Sequence, residues 1–397
     1  MKFLACLFIV SLACTASAQR ALHVDPANGN DINDAISAPV KTIARGILLA
    51  EPGDTVHLAT GTYFESVNLA GKKGLPGQPI TLDGHGAIID GSEPVNATEW
   101  ESLGQGLYRK TDLLPGLTPA ALRRWYFLWD GRMDTMGRTA KGPSAALKKV
   151  AELKPGEWTY EEAEKAFYIK LTDGQSLDVA RLRYPARSNG VSLSGQGRHL
   201  TVRNLTCTHV WNDGFNIHGD QLDTVFENIT AIECGDDGFS AHETAECRIN
   251  GFTSLRNSTG LCDIGSSVTH FKNIFISGCY GHDVFFHGNT AHSLENALIE
   301  SRAAHVITVT HRGSETSQAP CRATFKNVLL RRFESQAGEV RITGPCQIEM
   351  HGCTLFDLSS QVSAEATLSM TNTQLGPPAS ASTWGADAAA LEALRRE

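Results

Sequence analysis

Aromatic residues are scarce in this chain of 397 residues, in which phenylalanine, tryptophan and tyrosine together make up 7%. Basic residues are not in excess either, since 35 of them stand against 43 acidic ones and the formal net charge is −8. A globally acidic chain is a poor binder of nucleic acid. We therefore expect no nucleic-acid partner, and an anionic ligand would have to meet a local basic patch or a bound cation.

Several motifs that mark common enzyme classes are also missing. The sequence has no glycine-rich phosphate loop, no nucleophile elbow and no Cys-x-x-Cys pair. These absences leave the nucleotide-binding, serine-hydrolase and thiol-redox classes without support. The function has to be sought in another arrangement of residues.

The most apolar segment lies at the beginning of the chain. It runs from Phe3 to Cys14 after the basic Lys2 and ends in the small residues Ala16–Ala18, which is typical of a signal peptide over residues 1–18. The segment is shorter than the ~20 residues that a membrane span needs, and no later segment reaches that length. We expect a soluble, monomeric protein, secreted or periplasmic, with no membrane insertion.

Eight cysteines follow the predicted signal peptide, all in the second half of the chain. Export permits disulfide bonds, but several of these cysteines lie within apolar strand patterns. Buried free thiols and disulfide bridges therefore both stay open. The eight are Cys207, Cys234, Cys247, Cys262, Cys279, Cys321, Cys346 and Cys353.

An asparagine recurs within a short pattern of an apolar residue, a charged residue, Asn and an apolar residue. It occupies positions 204, 228, 273, 296 and 327, at intervals of 24, 45, 23 and 31 residues. These intervals fit coils of ~20 to 30 residues, one interval spanning two coils. We predict a structural ladder in which each asparagine bonds backbone at a coil corner.

Each coil also contains short alternating runs such as Phe215–His218 and Phe239–His242. In a strand this alternation points apolar side chains inward and polar ones outward. A single coil cannot bury its own apolar face, so the coils must stack with strands ~4.8 Å apart. The sequence thus predicts an all-β fold, a right-handed parallel β-helix. A β-propeller fits less well, because a blade needs ~40 residues.

The N-terminal segments Asp25–Asp31, Pro39–Ala50 and Pro52–Val56 resemble the opening of secreted β-helix proteins of the pectate-lyase-like superfamily. That resemblance implies a helix over Lys41–Ala50 that caps the open end of the core. We further predict a β-hairpin within an insertion, and helices over residues 145–151 and 388–395. The predicted layout is a signal peptide (1–18), the cap and first coils (19–99), the insertion (100–187), the main coils (188–375) and a C-terminal tail (376–397).

The same offsets register the polar residues of successive coils. Asp213 falls beside Asp237, 24 residues on, and Asp237 lies two coils from His282. We expect these side chains to cluster on one outer face, where crowded carboxylates can serve as acid and base in sugar chemistry. The predicted catalytic residues are Asp213, Asp236, Asp237 and His242, and the predicted substrate-binding residues are Trp211, His218, Glu243, His282, His287 and Arg302.

Two local resemblances support this cluster. The runs Asn212–Gly214, Gly235–Gly238 and Thr259–Ser266 look like the successive catalytic coils of polygalacturonases, which implies acid and base roles for the aspartates. The run Gly238–Glu243 is similar to the core motif of mannuronan C5-epimerases, in which a histidine takes part in proton exchange at the uronate C5. That role would fall to His242.

Three functions stay open at this point. The first is a hydrolase that cleaves an extracellular polysaccharide through the aspartates. The second is a uronate lyase or C5-epimerase with His242 as base, in which Arg302 or Ca²⁺ neutralises the substrate carboxylate. The third is a non-catalytic, carbohydrate-binding or structural β-helix. By the same offsets, His218, His242 and His287 form one outward column. This column and the carboxylates leave a metal site open, with Ca²⁺ or Zn²⁺ as the candidate ion.

Overall fold

The computed structural model describes residues 19–134, 147–289, 291–311, 319–332, 338–356, 358–375 and 388–395. The predicted signal peptide and most of the predicted tail lie outside the described residues. Among the described residues, no helix is both long and apolar enough to cross a membrane.

The elements are as follows, in chain order. The first coils contain β1 (Ala21–Val24), α1 (Ile43–Leu49), β2 (Thr55–Leu58), β3 (Thr62–Tyr63), β4 (Val67–Asn68) and β5 (Ile80–Asp90). The insertion contains β6 (Ser92–Pro94), β7 (Glu101–Gly104), β8 (Leu107–Thr111), α2 (Pro119–Arg124), β9 (Leu128–Trp129), β10 (Arg132–Met133), β11 (Glu157–Glu161), β12 (Ala166–Lys170), α3 (Leu177–Ala180) and β13 (Arg183–Pro185). The main coils and tail contain β14 (Val191–Leu193), β15 (Gln196–Arg198), β16 (Leu200–Thr208), β17 (Phe215–Ile217), β18 (Asp220–Leu222), β19 (Thr224–Ile232), β20 (Asp237–Ala241), β21 (Glu246–Leu255), β22 (Thr259–Gly265), β23 (Val268–Ser277), β24 (His282–Gly288), β25 (Ala291–Ser301), β26 (His305–Thr310), β27 (Cys321–Arg332), β28 (Gly338–Thr343), β29 (Cys346–His351), β30 (Thr354–Leu355), β31 (Leu358–Val362), β32 (Thr367–Thr371), β33 (Gln374–Leu375) and α4 (Ala388–Glu392).

Two long parallel sheets form the walls of the molecule. Sheet A joins β1, β2, β5, β16, β19, β21, β23, β25, β27, β29 and β32 in that order, and sheet B joins β4, β14, β17, β20, β22, β24, β26, β28 and β31. Strands from successive coils are neighbours in both sheets, so the chain winds as a solenoid. The predicted right-handed parallel β-helix is confirmed.

Apolar side chains from both sheets fill the interior. Phe215 and Phe239 stack with ring centroids 6.4 Å apart, and Phe226 meets Phe239 edge to face at 5.1 Å. All three rings are fully buried. At the N-terminal end, α1 packs over this core, which confirms the predicted capping helix.

The eight cysteines are free thiols, and all of them are buried. Burial raises the pKa of the Cys207 and Cys234 thiols well above the usual range. Cys207 and Cys234 therefore behave as small apolar side chains of the core rather than as reactive groups. Of the two alternatives that the sequence left open, the structure has free thiols.

The asparagine ladder exists, but its partners differ from those predicted. The five asparagines lie within the strands of sheet A, where each has a left-handed φ between 50° and 59°. Asn228 Nδ2 donates to Asn204 Oδ1 at 2.9 Å, and Asn327 Nδ2 donates to Asn296 Oδ1 at 2.9 Å. The predicted bond to backbone is wrong in these pairs, because stacked coils bring each amide directly beside the next one. Asparagine tolerates this φ better than other non-glycine residues.

The insertion leaves the solenoid after β5 and rejoins it at β14, which pairs with β4. The predicted hairpin is confirmed as β11 and β12, which pair antiparallel. The predicted helix over 145–151 is wrong where it is described: residues 147–149 are not helical, and Val150–Glu152 form a single 3₁₀ turn. The carbonyl oxygen of Lys148 accepts Thr159 Oγ1 of the hairpin instead of a helical N–H.

Candidate active site

The outer face of sheet B carries most of the predicted residues in the predicted register. Asp237 pairs with Thr259, Thr259 with His282, and His282 with His305, one coil after another. Phe215 pairs with Phe239, which places Asp213 one coil from Asp237. The offsets read from the sequence are therefore confirmed.

Three aspartates from two neighbouring coils converge at the beginning of these strands. One carboxylate oxygen each from Asp213, Asp236 and Asp237 lies within 4.8 Å of the other two. The three residues are only 3%, 4% and 2% exposed. Asp213 Oδ1 accepts the backbone N–H of Asp237 at 3.0 Å, and its Oδ2 accepts Asn216 Nδ2 at 2.6 Å. We call these three residues the carboxylate group.

An arginine of the insertion, Arg124, contacts the carboxylate group. Arg124 ends α2, and its Nη2 lies 2.8 Å from Asp236 Oδ2, while its Nη1 donates to Asn212 Oδ1. Burial opposes the charged form of Arg124, but the nearby carboxylates, Asp236 foremost, outweigh it and raise the pKa of the guanidinium. Arg124 is thus a permanent positive charge beside three acidic groups.

Several contacts hold the insertion in this position. Tyr126 Oη donates to the carbonyl oxygens of Val210 at 3.1 Å and Glu233 at 2.9 Å, and Met133 N donates to Glu233 Oε2 at 2.9 Å. Burial opposes ionisation of Glu233, but hydrogen bonds from His209 and other donors lower its pKa to about 2. Trp211 packs against the aromatic core of the insertion, so its sugar contact stays a prediction.

A second group lies further along the same strands. The rings of His218 and His242 stack with centroids 4.1 Å apart, and His218 Nδ1 lies 3.0 Å from Glu243 Oε1. Ser240 Oγ lies 2.8 Å from His242 Nε2. Asn216 and Ser240 occupy the outward positions between this group and the aspartates, so the single cluster expected from the sequence divides into two on one face.

Further toward the C-terminus, the same face of sheet B carries three ring side chains on β24. His282 meets Phe285 edge to face at 5.2 Å, and Phe285 stacks on His287 at 6.1 Å. Arg302 is exposed at the corner before β26. It is three coils from Asp237, which corresponds to ~14 Å. The structure therefore does not bring Arg302 to the carboxylate group.

Sequence reasoning missed two residues of this site, Arg124 and Cys262. No repeat links the insertion to the coils, so the sequence offers no signal for Arg124. Cys262 pairs with the outward Ser240 and lies close enough to Arg124 for the two to interact electrostatically. The strand register could have located Cys262, since it is the outward neighbour of a residue already assigned to this face.

Comparisons with known proteins establish the fold. A family model described as "Protein of unknown function (DUF1565)" matches residues 27–69, and no curated protein matches the chain. A solved structure named glycoside hydrolase is 11% identical with a TM-score of 0.53, over 93% of this chain and 99% of its own. XylC in complex with xylose is 11% identical with a TM-score of 0.48, over 90% and 86% of the two chains. Pectate lyase Pel9A is 15% identical with a TM-score of 0.40, over 92% and 82%. The chain shares the parallel β-helix fold of the solved structure named glycoside hydrolase.

Proposed function

We propose that this protein is a carbohydrate-active enzyme that hydrolyses glycosidic bonds in a polysaccharide. The observation that carries the proposal is the convergence of three buried carboxylates from successive coils within 4.8 Å of one another. Such crowding disfavours ionisation of all three groups. One of them can hold a proton for the leaving oxygen while another acts on water or on the sugar, which is what glycoside hydrolysis requires.

The contacts of the carboxylate group suggest a division of roles. The ion pair with Arg124 favours the ionised form of Asp236, and the hydrogen bonds from Asn216 and from the backbone of Asp237 favour that of Asp213. Hydrogen bonds to a carboxylate stabilise its charged form. We assign the proton donor to Asp237 and the attack on the sugar to Asp213, because carboxyl groups this close leave no room for a water molecule between them. Arg124 is the positioning residue of Asp236.

The shape of this face suits a polymer. Outward residues from Asp213 to His305 span five coils, a distance of ~19 Å. Phe285 and His287 are half-buried on this face and offer ring surfaces to sugars. The fold shared with a protein named glycoside hydrolase is in keeping with this proposal, and the predicted signal peptide supports an extracellular or periplasmic site of action.

A uronate lyase or C5-epimerase is the second candidate, because three carboxylate oxygens this close are ligands that Ca²⁺ prefers. One observation favours the hydrolase. Asn216 and Ser240 separate His242, the base of this alternative, from the carboxylate group.

The test is a panel of neutral and acidic polysaccharides, assayed for new reducing ends and for the ultraviolet absorbance of an unsaturated uronate product. The variants are Asp237→Asn and His242→Ala, with Glu227→Gln on the outer face of sheet A as the matched control. Each is assayed with EDTA and with added Ca²⁺.

We expect reducing ends without ultraviolet absorbance, lost in Asp237→Asn and retained in Glu227→Gln and in EDTA. An absorbing product that His242→Ala abolishes would identify a lyase instead. Turnover on no polymer, with carbohydrate binding unchanged in Asp237→Asn, would identify a non-catalytic β-helix.

A further inference from the structure

Two imidazoles and a carboxylate converge on the outer face of sheet A, in the N-terminal coils. His57 on β2 pairs with Asp83 on β5. His57 Nδ1 lies 2.9 Å from His85 Nε2, and His85 Nε2 lies 3.7 Å from Asp83 Oδ1. One ligand atom of each residue lies within 4.8 Å of the other two. This group has no part in the proposed hydrolysis.

An irregularity of the backbone creates this arrangement. Between Asp83 and Ala87, β5 has three residues where β16 has the single ladder residue Asn204. His85 stands in the middle of this excursion with a left-handed φ of 48°, and its carbonyl oxygen accepts Thr60 Oγ1 at 3.1 Å. The excursion thus takes the place of a ladder asparagine and brings the His85 ring to 5.2 Å from that of His57.

We propose that His57, Asp83 and His85 bind a divalent transition-metal ion such as Zn²⁺. Two ligand atoms that share an ion at ~2.05 Å lie ~3.3 Å apart at the tetrahedral angle and can be at most ~4.1 Å apart. The separations of 2.9 Å between the ring nitrogens and 3.7 Å between His85 and Asp83 lie on either side of the tetrahedral value and below that limit. Two imidazoles with one carboxylate favour such an ion over Ca²⁺ or Mg²⁺.

The carboxylate is held for this role by its own partners. The Asp83 side chain is 5% exposed, its Oδ2 accepts Arg203 Nε at 2.7 Å, and its Oδ1 accepts Asn204 Nδ2 at 2.9 Å. These donors fix the orientation of the carboxylate so that Oδ1 is the oxygen toward His85. Partners that orient a ligand in this way are a usual feature of metal sites.

The site borders an open cleft of about 500 Å³, lined by His23, Asp25, Ser37, His57 and His85 among others. The ring of His23 stacks on that of His57 at 5.6 Å. Three protein ligands leave at least one coordination position on a Zn²⁺ ion. That position is available to water or to an anionic group that enters the cleft.

The experiment is a calorimetric titration of the metal-free full chain with Zn²⁺, together with its thermal stabilisation by Zn²⁺. The variants are His57→Ala and His85→Ala, and the matched control is His270→Ala, which removes another exposed histidine from the outer face of sheet A. Asp237→Asn is included because the carboxylate group is the other cluster that could hold a cation. Far-UV circular dichroism checks that each variant folds.

We expect one equivalent of Zn²⁺ to bind the native protein, His270→Ala and Asp237→Asn with equal affinity. Loss of either ligand should weaken binding by ~100-fold or more, since even the loss of a supporting partner costs 10–100-fold. His57 and His85 are both outward and at least partly exposed, so the two alanine variants test the site independently. Absence of Zn²⁺ binding, or binding that survives in both variants, would overturn the proposal, and so would binding lost only in Asp237→Asn.

Discussion

The outer faces of sheets A and B are built from the same coils, yet they treat polar side chains differently. In the main coils, the outward charges of sheet A form exposed pairs such as Lys272 with Glu295 and Arg248 with Asp223. On sheet B, the outward Asp237 and Ser240 are buried. Buried polar groups need partners from the protein. Burial of outward polar residues, rather than their mere presence, therefore distinguishes a candidate site from a solvent-exposed sheet face.

The insertion contributes to this difference. It contacts the corner that leads into sheet B, where Arg124 pairs with Asp236 and Tyr126 bonds the carbonyl oxygen of Glu233 at 2.9 Å. The insertion thus contributes the positive charge of Arg124, and the coils contribute the carboxylates that it contacts.

The largest effect is expected from the core that both sheets share. Phe239→Ala removes a fully buried ring and should lower the free energy of unfolding by about 3–5 kcal/mol. Phe285→Ala on the outer face of sheet B should cost less stability but weaken substrate binding. Denaturant unfolding of both variants measures this contrast, and equal destabilisation would contradict the assignment of inward and outward positions.

The next effect concerns the insertion. Arg124→Ala should lower kcat by about 100-fold, the usual scale for removing a charge-stabilising group from an active site. Arg124→Lys should restore part of the activity, because it keeps the positive charge. Arg123→Ala is the control, since Arg123 is exposed on the same helix. Full activity of Arg124→Ala would show that the insertion has no part in the active site.

A pH effect should arise from an inward carboxylate of β22. Burial raises the pKa of Asp263 to about 7, although hydrogen bonds from Thr269 and the Ala241 N–H oppose this. The native state therefore keeps a proton that the unfolded chain releases from about pH 4. Stability from this group should fall as the pH rises from about 4 to 7, by ~1.4 kcal/mol per unit, and stay level above 7.

Asp263→Asn should remove this contribution. The free energy of unfolding of the variant, relative to the native protein, should therefore rise between pH 4 and 7. Urea unfolding at a series of pH values measures the difference. A constant difference across this range would show that Asp263 is ionised in the native state.

The smallest effect is expected on the outer face of sheet A. Asn228→Gly keeps the left-handed backbone but removes the bond to Asn204, so it should cost about 1 kcal/mol. Asn228→Ala should cost more, since alanine disfavours this φ. Thermal unfolding of the two variants separates the loss of the hydrogen bond from the cost of a left-handed φ at position 228. A glycine variant less stable than the alanine variant would contradict this account of the ladder.

The sequence allowed the register of the coils to be predicted, because a fixed offset of residues returns each side chain to the same column. Asp213 beside Asp237 and His218 beside His242 follow from that rule. Arg124 does not, since the insertion has no repeat to register it. Nor does the His57–His85 contact, which depends on an excursion within β5. Whether Cys207 and Cys234 form disulfide bonds depends on distances in the folded core, and these cannot be predicted from the spacing of the cysteines along the chain.

We propose that the outer face of sheet B binds and cleaves the polysaccharide. Its most direct test is a crystal structure of Asp237→Asn with an oligosaccharide of the polymer that the panel identifies. We predict a sugar chain that runs across the coils from Asp213 toward Phe285, with one glycosidic oxygen over the carboxylate group. An oligosaccharide bound instead in the insertion's cavity of about 380 Å³, lined by Leu117 and Tyr160 among others, or on sheet A, would contradict the account.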